Sequence, residues 1–100
     1  MSREQILNGI SVERNRQDGL WGNDFDDKNT PNDWVAYVNN YLAQGAYDGR
    51  SEEYTVEKFR IALVKAATIC VAAIEAIDRN GKCADRHYDK KENETILEEN

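Results

Sequence analysis

The chain is poor in proline, which interrupts helices, and in cysteine and histidine, which are the usual zinc ligands. Its 100 residues include one proline, two cysteines and one histidine. Cys70 and Cys83 have neither the spacing of a metal finger nor that of a CxxC motif, so we expect both to be reduced. The amino terminus is polar, and no apolar segment typical of a signal peptide follows Met1. These absences favour a cytoplasmic protein.

The chain also lacks an excess of positive charge. It has 13 basic and 19 acidic residues, a formal charge of −6 and a pI of about 4.7. We therefore expect no non-specific binding to nucleic acid or to an anionic membrane. Lys65 and Glu75 interrupt the longest apolar stretch, which argues against a span of about 18 or more apolar residues through a membrane.

That apolar stretch, residues 56–79, organises the rest of the chain. It contains no glycine or proline, and its apolar residues cover most of the circumference of a helix. We predict a central helix of about 37 Å, from roughly 25 residues rising 1.5 Å each. It carries more apolar surface than two short helices can cover. We therefore expect a homodimer or a higher homo-oligomer, in which a partner chain covers the remainder.

Start and stop signals divide the chain into helices. Ser2 begins a capping-box pattern, Thr30 precedes the only proline, and Thr55 or Ser51 can cap the long helix. Gly19 is expected to end the first helix. The sequence thus predicts an all-α bundle of three main helices near residues 2–17, 30–45 and 54–79, within a single domain of residues 1–89 followed by a charged tail of residues 90–100.

The connections between these helices follow from composition. Residues 22–29 hold three aspartates, two asparagines and a glycine, which is typical of a loop, and Leu20 and Trp21 before it are expected to tuck back onto the core. Gly45 and Gly49 bracket the end of the second helix. Asn80-Gly81 is expected to end the third, since glycine readily takes a positive φ.

Four short motifs resemble the small MazG-like proteins of phages and prophages, in the all-α nucleotide pyrophosphohydrolase superfamily. They are ERNRQ at residues 13–17, LWG at 20–22, the tryptophan-led helix from Trp34, and AIEAIDR at 73–79. The resemblance covers residues 2–89. It implies an oligomeric helical bundle in the cytoplasm, which is the host cytoplasm if the chain is phage-encoded. Enzymes of this family hold Mg²⁺ with acidic motifs on two helices and cleave nucleoside triphosphates to monophosphate and pyrophosphate.

The chain departs from the family at the acidic motifs. The first motif falls on Asn40, Tyr41 and Gln44, and the second falls on Ala62 and Lys65. Mg²⁺ prefers carboxylate oxygens and water, and a lysine repels it. The resemblance therefore implies a scaffold without its metal site, and we expect no cofactor.

Lys65 is the candidate for a different ligand. A cation on an apolar helix must reach a carboxylate, an anionic ligand or the edge of the bundle. One interpretation is that it binds a phosphate directly, with Arg60, Asn40 and Gln44 beside it and Tyr41 or Tyr37 stacking on a base. The other is that Lys65 extends to solvent and pairs with an acid of the first helix such as Glu13.

Two polar clusters have competing interpretations. Asp24, Asp26 and Asp27 could hold a divalent cation, but aspartates that form turns and caps explain the cluster equally well. The residues from Glu13 to Gln17 could line a ligand site, or tie the first helix to Glu75 and its neighbours on the third.

The sequence supports two hypotheses for function. The first is a non-catalytic, oligomeric MazG-like accessory protein that binds a nucleotide or a host protein. The second is an active Mg²⁺-dependent pyrophosphohydrolase with relocated ligands, in which Glu13 and Glu75 are the catalytic candidates and Asp26, Asp27 and Glu57 complete the acidic set.

Overall fold

The computed structural model describes residues 1–46 and 54–86, and these form three α-helices without a strand. The helices are α1 (Arg3–Asp27), α2 (Pro31–Gly45) and α3 (Val56–Asn80). The predicted all-α class is confirmed. Gly49, Ser51 and the predicted tail of residues 90–100 lie outside the described residues.

All three helices begin at the predicted caps. The side chains of Ser2, Thr30 and Thr55 each accept a hydrogen bond from the backbone N–H three residues later. In the first two helices the side chain at that third position accepts in return from the cap's own N–H, which completes a capping box. Gly81, in the left-handed conformation with φ of 79°, ends α3 as predicted.

The predicted end of the first helix is wrong. Gly19 lies inside α1, and helical structure continues through most of the predicted loop to Asp27. The axis breaks once, at Gly22, where φ is 76° and ψ is 177°. Two aspartates expected to form turns are instead held by arginines, because Asp26 accepts from Arg14 and Asp27 accepts from Arg79. These ion pairs with distant residues offset the turn preference of the local sequence.

The core lies between α3 and the other two helices. Trp34 of α2 packs against Ile69, Ala72 and Ala76 of α3, with Tyr37, Val38 and Tyr41 partly buried around them. Leu20 does not join this core, since 62% of it is exposed, so its predicted position is wrong.

Gly45 sets the close crossing of α2 over α3. A Cβ atom at this position would lie 2.7 Å from the Cβ of Ala62 and 3.0 Å from the Cα of Phe59. Only glycine therefore lets the carboxyl end of α2 reach the backbone of α3. On the other side of the bundle, Arg14 Nε donates to Glu75 of α3 at 2.6 Å, which confirms the predicted tie between the first and third helices.

Candidate functional site

A cavity of about 120 Å³ opens where all three helices meet. Its walls are mainly aromatic, and the side chains come from both halves of α1, from α2 and from α3. A cavity of about 150 Å³ lined by apolar side chains holds a benzene molecule, so this one is of the size of a single ring. Its aromatic walls are Trp21, Phe25, Trp34, Tyr37 and Tyr41.

Three of these aromatic rings form a nearly parallel series. Trp21 and Phe25 have ring centroids 5.9 Å apart with an angle of 27° between planes, and Phe25 and Tyr37 follow at 6.3 Å and 26°. The hydroxyl of Tyr37 donates to Asn29 at 3.4 Å, and this hydrogen bond holds the Tyr37 ring in position. Trp21 and Phe25 are each 41% exposed, so they form the rim of the cavity.

Gln17 is the unusual polar residue of this cavity. Only 1% of it is exposed, and neither the oxygen nor the nitrogen of its side-chain amide has a hydrogen-bond partner. Glu13 is near enough for its pKa to be affected by Gln17, but the two side chains form no hydrogen bond of good geometry. A buried amide without partners costs about 1–3 kcal/mol. Buried polar groups of this kind are rare in folded proteins, so the Gln17 amide requires a bound water or a ligand to complete its hydrogen bonds.

Arg14 and Asp26 close the polar side of the same cavity. Both are buried, and Arg14 Nη2 donates to Asp26 Oδ2 at 3.1 Å while its Nε donates to Glu75. Burial raises the pKa of Asp26, an effect that the nearby Arg14 and Arg79 guanidinium groups oppose. Because its hydrogen bonds go to carboxylates, Arg14 supports the wall of the cavity.

The predicted ligand-binding residues divide into two groups. Asn40 and Tyr41 line the aromatic cavity, whereas Lys65 does not line it and lies over the ring of Tyr41, with its Nζ 6.0 Å from the ring centroid. Gln44 and Arg60 lie outside the cavity. Each of them lines a shallow groove on one flank of Lys65, Gln44 with residues of α3 and Arg60 with residues of α1 and α3.

Each of the predicted catalytic acids accepts hydrogen bonds from an arginine, and the two acids line different grooves. Glu13 accepts from Arg16, and that hydrogen bond is the main cause of its lowered pKa, to which the nearby Lys65 also contributes. Glu75 accepts from Arg14 in a separate open groove. Glu57, in the first turn of α3, is exposed.

The three aspartates proposed as metal ligands are also separated. Asp24 is exposed, Asp26 faces Arg14, and Asp27 Oδ1 accepts from Arg79 and from Asn80. In residues 1–46 and 54–86, no three His, Cys, Asp or Glu side chains are grouped as a metal site would require. Asp27 has a lowered pKa because of the hydrogen bonds from Arg79 and Asn80.

Phe25 was not predicted to belong to the site, because it fell in the predicted loop, and Asp26 was considered only as a metal ligand. A usable signal was present in the first helix. Ile10, Arg14, Gln17 and Trp21 are spaced by four, three and four residues, so they share one helical face. Continuing this face past Gly19 leads directly to the aromatic cavity.

Comparisons with family models, with curated proteins and with solved structures find no match to this chain. Among the described helices, none combines the length and the apolar character that crossing a membrane requires.

Proposed function

We propose that this chain is a non-catalytic, MazG-like accessory protein of phage type that binds a nucleotide, with the base in the aromatic cavity. The observation that carries the proposal is the buried amide of Gln17, which has no partner inside a cavity of the size of one aromatic ring. The remaining features of the cavity are consistent with a planar, polar-edged ligand.

A side-chain amide and a nucleobase match in chemistry. The amide presents a carbonyl acceptor and an N–H donor side by side, and a base edge presents the complementary pair, as in the two hydrogen bonds that glutamine makes to adenine. Stacking of a base on an aromatic side chain contributes about 1–3 kcal/mol. The series from Trp21 through Phe25 to Tyr37 offers such faces next to Gln17.

Lys65 is the proposed partner of the phosphate. Its Nζ lies 6.0 Å from the ring centroid of Tyr41, which is a wall of the cavity, although Lys65 itself does not line the cavity. The proposed contact therefore requires the phosphate to extend out of the cavity past this ring. Arg60 lines the groove next to Lys65, where its guanidinium donates to Met1 Sδ at 3.3 Å, and we assign it no contact with the phosphate. In this arrangement Lys65 serves as a fixed cation in the place where the family's enzymes use Mg²⁺.

The pairing of the acids supports the non-catalytic part of the proposal. Glu13, Glu75, Asp26 and Asp27 each accept a hydrogen bond from an arginine. A metal would have to displace these arginines before it could bind. We further propose that the protein acts in the cytoplasm as a homodimer or higher oligomer, and a host protein is the alternative partner to a nucleotide.

The test of nucleotide binding is a panel of ribonucleotides and deoxynucleotides, measured by thermal unfolding and by titration calorimetry. A ligand at 100 times its Kd stabilises a folded protein by about 2.7 kcal/mol, and each kcal/mol raises Tm by roughly 4–8 °C in a domain of this size. We expect at least one base to give this stabilisation. A silent panel would contradict the proposal.

The variant Gln17→Leu separates the site from the scaffold. We expect it to remove the nucleotide-dependent stabilisation, and to raise the unfolding free energy of the ligand-free protein by about 1–3 kcal/mol, because the uncompensated amide is gone. Asn15→Leu, at an exposed position of the same helix, is the matched control and should keep binding. Unchanged nucleotide binding by Gln17→Leu would show that the base lies elsewhere.

Pyrophosphate release distinguishes the enzyme alternative. The same nucleotides are incubated with Mg²⁺ or Mn²⁺, and we expect no turnover above that of a heat-denatured sample. Turnover that is lost in Glu13→Gln or Glu75→Gln would favour the pyrophosphohydrolase with relocated ligands.

A further inference from the structure

One side of α3 carries an uncovered apolar seam with a seven-residue repeat. Leu63, Ala67, Cys70, Ile74 and Ile77 are separated by four, three, four and three residues. This is the spacing of the a and d positions in a coiled coil. Leu63 is 44% exposed, Ile74 57% and Ile77 39%, so the part of the chain that the structure describes leaves the seam open.

The seam lies beside the face of α3 that packs in the bundle. The buried residues Ala62, Ala66, Ile69 and Ala72 are centred about a third of a turn around the helix from the seam. The middle of the seam is formed by two small residues, Ala67 and Cys70, and a small contact residue lets two helix axes approach closely. The same spacing continues toward the amino end of α3 through Arg60.

We propose that a second copy of this chain covers the seam with its own α3, in antiparallel orientation. Ala67 then packs against Cys70 of the second copy and Leu63 packs against Ile74, each layer occurring twice about the two-fold axis. The inference rests on the proposed assembly of the chain with itself. It adds the surface, the direction and the register of that assembly.

Charge at the ends of the seam selects the antiparallel direction. Arg60 stands at the amino end, and Asp78, which is exposed next to Ile77, stands at the carboxyl end. In a parallel pair the two copies of Arg60 would share one layer, and that contact is repulsive. In the antiparallel pair, Arg60 lies in the layer of Ile77 of the second copy, next to Asp78.

Disulfide trapping tests the register. In a Cys70→Ser, Cys83→Ser background, we compare Leu63→Cys alone, Ile74→Cys alone, and the two together. The proposed register places residue 63 beside residue 74 of the second copy, whereas two copies of residue 63 are about 16 Å apart along the axis, from 11 residues at 1.5 Å each. A disulfide needs Cα atoms within about 7 Å. We therefore expect a covalent dimer from the double variant and none from either single variant.

Light scattering measures the assembly independently. We expect the wild type to have at least twice the 11.5 kDa mass of the chain, and Ile74→Lys to have the mass of one chain. Val35→Lys is the matched control, because Val35 is also 57% exposed but lies on α2, away from the seam. Circular dichroism checks that each variant keeps its helices.

Each contrary result has a distinct meaning. Covalent dimers from a single-cysteine variant would overturn the antiparallel direction. If the wild type is a dimer by light scattering but the double variant forms no disulfide, the chain self-associates through a surface other than the proposed seam. A wild-type mass of one chain would overturn both, and the nucleotide titration would still decide the proposed ligand separately.

Discussion

Asp26 and Asp27 are adjacent in sequence but occupy opposite electrostatic environments. Burial raises the pKa of Asp26, and Arg14 offsets only part of that effect. Hydrogen bonds from Arg79 and Asn80 lower the pKa of the exposed Asp27. Ionised Asp27 therefore adds stability above its ordinary pKa, which is lost as pH falls through the lowered value. For Asp26 the sign is reversed, because ionisation costs stability as pH rises through the raised value.

The two carboxyl groups are expected to titrate on opposite sides of 3.8, the ordinary value for aspartate. NMR titration of the side-chain carboxyl carbons measures both in one sample. Arg79→Met should bring the pKa of Asp27 back up toward 3.8, because it removes the main hydrogen-bond donor. It should also raise the pKa of Asp26 further, since Arg79 is one of the charges that lower it. Coincident titrations in the wild type would contradict the ion pairing.

Part of the candidate site was predictable from residue type and spacing. Asn40 and Tyr41 were expected beside a ligand and do line the cavity. Gln17 was recognised only as one of several polar groups at the end of a helix. Gln17 lines a cavity whose other walls come from α2, α3 and the part of α1 beyond the kink, and no local pattern predicts that these parts meet. Whether a polar side chain lacks hydrogen-bond partners depends on tertiary packing, which the local sequence does not specify.

The kink in α1 is the element that assembles the cavity. Before Gly22 the helix carries Arg14 and Gln17, and after it the helix carries Phe25 and Asp26. The sequence predicted all three helix starts because a cap is decided by three or four neighbouring residues. It did not predict the continuation past Gly19, because glycine within a helix costs only about 1 kcal/mol and tertiary contacts exceed that amount.

Gly22→Ala is expected to weaken the fold and the site together. The φ of 76° and ψ of 177° at this residue belong to a region that essentially only glycine occupies, so alanine should cost about 1–3 kcal/mol of unfolding free energy. Nucleotide-dependent stabilisation should also fall, because the second half of α1 can no longer return to the cavity. Urea unfolding measures the first effect and the thermal shift measures the second.

Gly19→Ala is the matched control, three residues away in the same helix. A Cβ atom at Gly19 meets nothing within 4 Å, and its φ is not positive. Alanine there should stabilise the chain by about 0.5–1 kcal/mol. Equal losses from both substitutions would show that α1 tolerates no side chain in this region, and that the conformation of Gly22 is not the cause.

As a whole, the described part of the chain leaves much of its apolar surface outside. Four of its six buried apolar residues are alanines, and the larger two are Trp34 and Ile69. Alanine buries little apolar area, so each contributes less than a leucine or isoleucine would. Meanwhile Leu63, Ile74 and Ile77 remain exposed on α3. A second copy on this face would move the larger side chains into a core.

Folding and association are therefore expected to be coupled. If the second copy supplies part of the core, unfolding also separates the two chains, and Tm rises with protein concentration. Thermal unfolding from about 1 to 100 µM should show this rise for the wild type and for Val35→Lys. For Ile74→Lys the Tm should be lower and independent of concentration, because the introduced ammonium group keeps the seam in water. A wild-type Tm that is constant over this range would mean that the three helices are stable as a single chain.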